Sequence, residues 1–365
     1  MVMRAASTGL ARRRAAKRVR KVFSCSFAPI FLLLSISVFA KASSDRDELK
    51  VRKLPGQENG GAVLDLGKPG AFDSLWVSCP SVIFNGRRYL MWYSSFYDSH
   101  AGEGGIGMAT SADGIHWTRT NEGKPVFTAG AAGAFDDGQV MGPQVLARNG
   151  KYYMWYTGMN KVWHRSGIGF YRIGLARSRD GIHWIRTNHG RPVLDVGVHG
   201  SYDEVQVATP SILYENGQYR MWYAAWAPAT GHTICVARSA DGITWRKEDN
   251  GHPVAGLIAG GAYGPLVHKF GSTYLMLYMP AKDTRGLNAA ISKDGYSWRS
   301  VGDEPLLPAG NPASFDAAIA GHACLLQIGD RILLWYTGYR REPNAPYGLK
   351  LRIGAAELKA ASLLR

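Results

Sequence analysis

The 365-residue chain carries 43 Lys and Arg against 28 Asp and Glu, a net charge of +15, and 44 glycines. Its four cysteines do not predict a disulfide framework, because a chain of this length can bury an ample core without one. It contains no Cys-x-x-Cys, His-Glu-x-x-His, phosphate-binding glycine loop or Gly-x-Ser-x-Gly elbow. Zinc hydrolysis, nucleotide chemistry and serine catalysis are therefore disfavoured.

Residues 1–42 have the features of a secretory signal peptide. Eight basic residues precede an apolar run over 27–40, and Ala40-Lys41-Ala42 has the form of a cleavage site. The run is short for a bilayer span, and an uncleaved anchor is the alternative interpretation. Cleavage would remove nine cations and no acid, lowering the net charge from +15 to +6. We expect a secreted or periplasmic protein with no stable membrane insertion after cleavage, and no motif indicates nucleic-acid binding.

Two repeated motifs organise the rest of the chain. The cluster Tyr-x-Met-Trp-Tyr or a close variant recurs at 91–93, 154–156, 221–223, 276–278 and 334–336. The motif Ser-x-Asp-Gly-x-x-Trp follows the first four copies, at 111–117, 178–184, 239–245 and 292–298. Such self-similarity is the signature of a repeat architecture.

Each repeat predicts four short strands. In the second copy, Asn149-Gly150 favours a hairpin turn, the aromatic segment 152–157 suits a half-buried strand, and Asp180-Gly181 marks a further turn. Helical periodicity is weak throughout. The sequence therefore predicts an all-β fold, a five-bladed β-propeller with four-stranded antiparallel blades.

The two ends of the chain predict a closed ring. The last repeat stops after its third predicted strand, while the segment around Val63 matches residues 192–195 of the second repeat. We expect the N-terminal strand near Val63 to complete the fifth blade and remove an exposed sheet edge. The predicted organisation is a signal peptide (1–42), a leader segment (43–59), a single propeller domain (60–358) and a tail (359–365).

Residues present in every repeat are most simply explained by structure. Eight of the eleven tryptophans belong to the motifs and predict packing between blades. Aspartates also recur after an aromatic residue and predict turn or strand caps, at Asp73, Asp136, Asp203 and Asp316.

Function should instead come from residues that differ between repeats. The first strand of each blade lines the axis of a propeller, and there the chain places Trp76, Gln139 and Gln206, with His322 aligned where other repeats have proline. Flat aromatic faces with polar neighbours suit sugar rings. The candidate ligand-binding residues are therefore these four, with Trp163, Trp226, Arg285 and Arg340 from the following loops.

The motifs resemble those of a known superfamily. Residues 72–83, 89–93 and 106–117 read Phe-Asp, then Val-x-x-Pro-Ser-Val-Ile, Tyr-x-Met-Trp-Tyr, and Ile-Gly-x-Ala-x-Ser-x-Asp-Gly-Ile-His-Trp. This pattern is similar to the five-bladed propellers of arabinanases, xylosidases, invertases and levansucrases, over residues 60–358. The resemblance implies a secreted protein that acts on glycosides, with carboxylates at the axis as acid and as base or nucleophile.

The chain departs from that pattern at the acids. Arabinanase-type members carry carboxylates where this chain has Cys79 before Pro80, Thr209 before Pro210 and Tyr263 before Gly264-Pro265. Either the alignment slips, the acids have moved, or the site does not hydrolyse. If the acids moved, we expect Glu204 as proton donor, with Asp137 or Asp73 as base or nucleophile.

Three functions follow from this interpretation. The first is an exported glycoside hydrolase that uses carboxylate acid/base catalysis on a poly- or oligosaccharide. The second is a noncatalytic polysaccharide-binding propeller, and the third is a glycoside phosphorylase in which loop arginines hold phosphate. No cofactor is expected, although the resemblance is compatible with a metal ion near His322. The oligomeric state is not predicted.

Overall fold

The computed structural model describes residues 49–96, 104–161, 170–257, 260–282, 285–345 and 348–360. Within these ranges the chain forms β-strands joined by turns, with four short 3-10 turns and no α-helix. The all-β prediction is confirmed. The described residues all belong to one compact unit that spans Lys41–Arg365.

Antiparallel pairing sorts the strands into five groups. The first strand in the chain is β1 (Leu49–Leu54). Group 1 contains β2 (Trp76–Phe84), β3 (Tyr89–Phe96), β4 (Gly105–Ser111), β5 (Trp117–Arg119) and β6 (Phe127–Thr128). Group 2 contains β7 (Gln139–Arg148), β8 (Lys151–Met159), β9 (Tyr171–Ser178) and β10 (Trp184–Arg186). Group 3 contains β11 (Gln206–Glu215), β12 (Gln218–Ala227), β13 (Gly231–Ser239) and β14 (Arg246–Lys247).

The last two groups complete the set. Group 4 contains β15 (Ala262–Phe270), β16 (Thr273–Pro280), β17 (Gly286–Ser292), β18 (Arg299–Ser300) and β19 (Leu307–Pro308). Group 5 contains β20 (Ile319–Ile328), β21 (Arg331–Arg341), β22 (Leu349–Ala360) and, from the other end of the chain, β1. The 3-10 turns lie at Asn59–Gly61, Asn121–Gly123, Asn188–Gly190 and Asp249–Gly251.

The outer strand of group 5 differs from the prediction. The segment near Val63 does contact β22, through the Val63 and Leu64 N–H groups and the Ile353 carbonyl. However, the fourth strand is β1, which pairs with β22 from Leu49–Ala360 to Leu54–Ala355. The sequence of β1, Leu-Lys-Val-Arg-Lys-Leu, does not predict a strand, because its charged residues obscure the alternation of apolar side chains.

The motif tryptophans connect neighbouring groups. In β3, the indole N–H of Trp92 donates to the Gly181 carbonyl in the Asp-Gly turn of group 2, at 2.8 Å. Equivalent bonds join group 2 to 3, group 3 to 4, and group 5 back to group 1, through Trp155–Gly242, Trp222–Gly295 and Trp335–Gly114. The predicted packing of these tryptophans between repeats is confirmed.

The glycine of that turn is required twice over. Gly181 has φ +81°, a conformation that disfavours side chains, and a Cβ there would meet Trp92 Cζ2 at 2.8 Å. The carbonyl of Gly181 also accepts the indole N–H of Trp184 from its own group. The two indoles meet edge to face, with planes 83° apart.

The recurring aspartates are buried and ion-paired. In group 1, Asp73 accepts the Tyr93 hydroxyl at 2.8 Å and pairs with the Arg119 guanidinium at 2.6 Å. The same Asp–Tyr–cation triad recurs in groups 2, 3 and 5, as Asp136–Tyr156–Arg186, Asp203–Tyr223–Lys247 and Asp316–Tyr336–Lys53. Each triad fastens the segment before the first strand to the second and fourth strands.

The first strands of the five groups contact one another in a cycle. Contacts run from β2 to β7, β11, β15 and β20, and β20 returns to β2. Side chains on these strands bridge to the next group: Ser81 Oγ accepts the Val145 N–H, and Cys324 Sγ accepts the Val82 N–H across the junction of groups 5 and 1. These strands therefore bring residues from all five groups to one place.

No helix in the described ranges is long and apolar enough to cross a membrane. The predicted signal peptide, 1–42, lies outside the described residues, and the predicted domain limits remain predictions.

Candidate functional site

A narrow cavity lies where the first strands of all five groups converge. It has a volume of about 40 Å³ and is lined by Cys79, Pro80, Gly142, Pro143, Gln144, Thr209, Pro210, Gly264, Pro265, Leu266, His322 and Ala323. Ligand pockets for small molecules are typically about 300–1,000 Å³. This axial cavity admits water rather than a sugar ring. We call its opening, beside the His322, Tyr263 and Tyr339 side chains, the axial mouth.

A β-bulge in each first strand shapes the cavity. The register shifts at the same place in all five strands, and the bulged residue has positive φ: Cys79 (49°), Gly142 (56°), Thr209 (44°), Gly264 (62°) and His322 (34°). Bulges re-aim side chains and are common beside functional sites. All five positions line the axial cavity, and three of them, Cys79, Thr209 and His322, carry a side chain.

The bulges correct the alignment of His322. In group 5, Cys324 pairs with Trp335 as Ser81 pairs with Trp92 in group 1, so Ala323 corresponds to Pro80. His322 is therefore equivalent to Cys79, and its assignment to the proline position was wrong by one residue. The cavity lining within the described residues contains no Asp or Glu.

Hydroxyl groups from the preceding group hold three of the bulges. The backbone N–H of Cys79 donates to Thr337 Oγ1 at 2.9 Å, and the N–H of Thr209 donates to Thr157 Oγ1 at 2.8 Å. The N–H of Gly142 donates to a serine in the same way. Both threonine side chains are fully buried. The bonds offset the cost of the strained conformation and fix the lining in place.

Aromatic and imidazole rings cluster at the axial mouth on the side of groups 3, 4 and 5. The rings of Trp226 and His232 are 6.3 Å apart, His232 and Tyr263 are 5.2 Å apart, and Tyr263 and His322 are 6.0 Å apart. Tyr339 completes this axial cluster, since its hydroxyl lies 3.0 Å from His322 Nδ1.

The imidazoles of the cluster are neutral near pH 7. Burial lowers the pKa of His322 to about 4 and also lowers the pKa of His232. Burial, together with the nearby Cys79 and Tyr263, raises the pKa of Tyr339. Burial raises the pKa of the Cys79 thiol to about 11, so it is not a thiolate nucleophile. The cluster offers neutral hydrogen-bonding groups beside flat apolar rings.

Asp73 does not belong to the axis. It is fully buried within its triad, bonded to Tyr93 and Arg119 in the arrangement that three other groups repeat. A carboxylate paired in this way has a structural role, and we withdraw Asp73 as a base or nucleophile. The aspartates at 136, 203 and 316 are likewise structural, though as ion-paired ties rather than simple caps.

Glu204 and Asp137 occupy equivalent turns before the first strands. Glu204 Oε2 accepts the Gly200 N–H at 2.6 Å and lies 2.9 Å from His199 Nδ1. Asp137 Oδ2 accepts the Gly133 N–H at 2.8 Å, and its Oδ1 accepts the Lys161 N–H. Both acids therefore close a local loop. Glu204 retains one oxygen, Oε1, for which no bond is found within the described residues.

Three of the predicted residues lie at the starts of first strands. Gln139 and Gln206 begin β7 and β11, and the buried Gln139 Nε2 finds no hydrogen-bond partner within the described residues. The Thr209 hydroxyl, which lines the cavity, is likewise unsatisfied there. Trp76 begins β2 and donates its indole N–H to the Leu349 carbonyl at 3.1 Å. Unsatisfied buried groups are costly, and a ligand or water at the mouth would relieve that cost.

The remaining predicted residues are peripheral or outside the description. Arg285 is exposed beside β17, and Arg340 donates to the Ala313 carbonyl at 3.4 Å. No contact brings these arginines together as a phosphate site within the described residues. Trp163 lies outside the described residues. No cluster of three or more His, Cys, Asp or Glu that could hold a metal ion occurs in the described parts of the chain.

Sequence reasoning missed His232 and Tyr339. Each stands at the end of a second strand or the start of a third, and neither belongs to a motif. The available signal is that Trp226 is a predicted binding residue; it lies in β12 and not in a loop, and His232 is its cross-strand partner on β13. Tyr263 was noted only as a departure from the acids of the superfamily.

Comparisons with known proteins agree with the fold. The model of the family Glycosyl hydrolases family 32 N-terminal domain matches residues 80–255. An uncharacterized protein of Mycobacterium tuberculosis is 26% identical over 226 residues, which are 59% of this chain and 72% of that protein. The A type blood N-acetyl-alpha-D-galactosamine deacetylase of Flavonifractor plautii is 24% identical over 86% of this chain, which spans 46% of the relative's length.

Solved structures give the same result. An N-acetylgalactosamine deacetylase from F. plautii, in complex with blood group B trisaccharide, superposes with a TM-score of 0.61 over 86% of this chain and 97% of that one, at 18% identity. The GH32 beta-fructofuranosidase BmSUC1 of Bombyx mori, in complex with sucrose, superposes with a TM-score of 0.61 over 91% of this chain and 68% of that one, at 15% identity. In its fold, the chain is similar to the propeller domains of these carbohydrate-active proteins.

Proposed function

We propose that the chain is an exported carbohydrate-active protein that binds a glycan at its axial mouth. In this proposal the five strand groups are five blades, and β1 with β22 closes the ring. The cyclic contacts of the first strands and the Cys324–Val82 bond between groups 5 and 1 support that arrangement. Relatives of the same fold act on carbohydrates according to their names, which supports the class of ligand.

The axial cluster is the observation that carries the proposal. Trp226 and Tyr263 offer ring faces that can pack against the apolar C–H face of a sugar, as aromatic side chains do with other flat partners. His232 and His322 are neutral and can exchange hydrogen bonds with hydroxyl groups. Gln139, at the start of β7, adds a buried amide nitrogen that has no hydrogen-bond partner within the described residues. Aromatic faces and a few convergent polar groups are what small-molecule sites use.

The cluster supports recognition more directly than hydrolysis. A glycosidase needs two carboxyl groups on either side of the scissile bond, about 5 to 10 Å apart. Among the described residues, the axial lining has no carboxylate, Asp73 is ion-paired, and both oxygens of Asp137 are bonded. The best-supported function is therefore binding of a poly- or oligosaccharide.

Hydrolysis is the second candidate, and Glu204 is the observation that favours it. Its Oε1 is free within the described part of the chain, and it stands two residues before Gln206 at the start of β11. A carboxylic acid there could protonate a leaving glycosidic oxygen, as general acids do.

Glu204→Gln and Asp137→Asn form a matched test. Both variants alter a carboxylate that closes the same kind of turn, so they should perturb folding equally. We would screen the wild type on a glycan array and on aryl glycosides, with and without phosphate. Binding without turnover in the wild type supports recognition. Turnover that falls about 100-fold or more in Glu204→Gln alone, with folding intact, would establish the hydrolase.

Export is part of the proposal and is tested separately. The basic segment, the apolar run and Ala40-Lys41-Ala42 support cleavage after Ala42. Full-length protein expressed in a bacterial host should appear in the periplasm or medium with Ser43 at its N-terminus, as read by mass spectrometry. Retention of residues 1–42 in a membrane fraction would instead support the uncleaved anchor.

A further inference from the structure

Group 2 has a basic cavity on its rim, away from the axial residues. It measures about 460 Å³ and is lined by Lys151, Arg177, Ser178, Arg179, Asp180, His183 and Ile185. All but Ser178 are exposed. The volume is within the usual range for ligand sites, about 300–1,000 Å³. We propose that this basic rim cavity binds the anionic groups of an acidic polysaccharide.

The three cations line one cavity. Arg177 pairs across strands with Tyr153 and with Ile185, and Lys151, two residues before Tyr153 on β8, lies on the same face of the sheet as Arg177. Arg179 follows Ser178, the last residue of β9, which pairs with Tyr152. Like charges placed close together on a sheet are destabilising. An anion bound between them would relieve this repulsion.

Acidic partners for these cations are missing. Within the described residues, no ion pair or hydrogen bond involves the side chains of Lys151, Arg177 or Arg179. Asp180 is the acid nearest in the lining, but it accepts the Ile182 and His183 N–H groups and the Ser178 hydroxyl. The hydrogen bond with the His183 side chain and these other bonds lower the pKa of Asp180. Its charge is therefore engaged within the turn.

In groups 3 and 5, the residue equivalent to Arg177 takes part in an ion pair. In group 3 the equivalent of Arg177 is Arg238, which pairs with Glu248 at 2.8 Å, and Arg246 pairs with the same acid. Group 2 has Thr187 where group 3 has Glu248. In group 5 the equivalent of Arg177 is itself an acid, Glu357, paired with Arg331 at 3.2 Å.

Group 4 has a less basic cavity at the same place. It is almost as large, about 430 Å³, but Thr273 and Ile291 replace Lys151 and Arg177, while Arg299 stands where group 2 has Ile185. Its lysine, Lys293, donates to the Thr273 hydroxyl at 2.6 Å. The unneutralised cations of group 2 are therefore not a requirement of the repeat.

The chemistry of the cavity favours a saccharide polyanion. Arg and Lys bind carboxylate and sulfate groups through charge-assisted hydrogen bonds. Proteins that bind single-stranded nucleic acid add aromatic platforms for the bases. The lining of this cavity contains no Phe, Tyr or Trp, its imidazole His183 is paired with Asp180 at 2.7 Å, and its one apolar side chain, Ile185, is 63% exposed. The choice of a polysaccharide over another polyanion rests on the carbohydrate function proposed above; the anion site itself does not.

The test compares binding of dextran sulfate, polygalacturonate and uncharged dextran to the purified protein by calorimetry. The wild type should bind both polyanions and not dextran, and binding should weaken with salt. The triple variant Lys151→Gln, Arg177→Gln, Arg179→Gln should raise the dissociation constant about ten-fold or more, because each substitution removes a charge-assisted hydrogen bond to the anion.

A matched control removes three exposed cations elsewhere: Lys68→Gln, Arg87→Gln, Arg88→Gln. It should change the dissociation constant less than about two-fold, because net charge alone acts weakly once screened. A second variant, Thr187→Glu, restores the acid that group 3 has and should weaken binding without removing any cation.

Equal weakening by the two triple variants, or no binding of either polyanion to the wild type, would overturn the site. A single-stranded DNA oligonucleotide that binds as tightly as dextran sulfate would overturn the assignment to polysaccharide. Trp226→Ala should leave polyanion binding unchanged, so failure of the axial proposal is seen separately from failure of this one.

Discussion

Residues at the periphery of the strand groups recur from group to group, whereas residues at the axis vary. At the periphery, four groups place Asp, Tyr and a cation in the same triad, and four place a tryptophan against a turn glycine. At the axis, the five bulge positions hold four residue types, namely Cys79, Thr209, His322 and the two glycines Gly142 and Gly264. Residues that recur hold the groups together, and residues that differ are free to define a ligand site.

Group 4 shows that the peripheral rule has an exception. Ser300 stands where other groups have the triad cation, and its hydroxyl lies 3.5 Å from that of Tyr278. The segment 252–261, which precedes β15, contains no Asp or Glu in its sequence, so group 4 lacks both the cation and the carboxylate of the triad. Such joint replacement is expected if the pair exists for stability, since a lone buried charge is costly.

The largest effect is predicted for the triads. Asp73→Asn leaves Arg119 beside a neutral amide and should lower the free energy of unfolding by about 3 kcal/mol, as removal of one partner of a buried pair does. Asp136→Asn should cost about the same. Chemical denaturation measures both. If Asp73→Asn abolished an activity while leaving stability unchanged, the role of Asp73 would be catalytic and not structural.

The next effect concerns the pH dependence of stability through His322. Its folded pKa of about 4 lies below the unfolded value, so between these values the unfolded chain binds more protons. Stability should therefore fall as pH drops from 6.5 towards 4. The expected loss for this residue is about 2 kcal/mol, a figure reduced because His322 lines the cavity and is partly solvated there. His322→Gln should flatten that part of the profile relative to the wild type. His268 has a similar lowered pKa and will keep part of the slope.

A smaller effect is predicted for binding at the axial mouth. Trp226→Ala removes one ring face of the axial cluster and should weaken the best glycan-array ligand about ten-fold, the usual scale for one aromatic contact of about 1.4 kcal/mol. Tyr214→Ala, which removes an exposed aromatic ring away from the axial cluster, should leave affinity unchanged. Equal losses in the two variants would place the ligand elsewhere.

The smallest effects are predicted where neighbouring groups are bridged by one side chain. Ser81→Ala removes the acceptor of the Val145 N–H and should cost about 1 kcal/mol of unfolding free energy. Cys324→Ser installs the residue that Ser81 and Ser211 provide at the equivalent position. It should change stability by less than about 0.5 kcal/mol, because the Val82 N–H keeps an acceptor. A loss above that of Ser81→Ala would show that the junction of groups 5 and 1 differs from the others.

Much of the fold was predictable because its signals are local. The Asn-Gly turns, the aromatic second strands and the Asp-Gly turns each specify a strand or a turn within a few residues. Strand β1 was not predictable in this way, since only its pairing with β22 identifies it. A recurring cation two residues after the motif tryptophan, as at Arg119 and Arg186, would have revealed the triads from sequence.

The site was harder to predict because it depends on long-range geometry. His322 was misplaced by one residue because group 5 lacks the proline that marks the bulge in the other four. Glu204 and Asp137 were chosen for their position before the first strands, and sequence spacing does not show that each bonds its own loop. Tyr339 meets His322 only because β20 and β21 pair with a bulge.

The most direct test of the account is a glycan array probed with the wild type and with the double variant Trp226→Ala, Tyr263→Ala. We predict that the wild type binds at least one carbohydrate and that the double variant, folded by circular dichroism and thermal unfolding, loses that binding. A folded double variant that retains the same ligand with the same affinity would contradict the assignment of the axial mouth as the carbohydrate site.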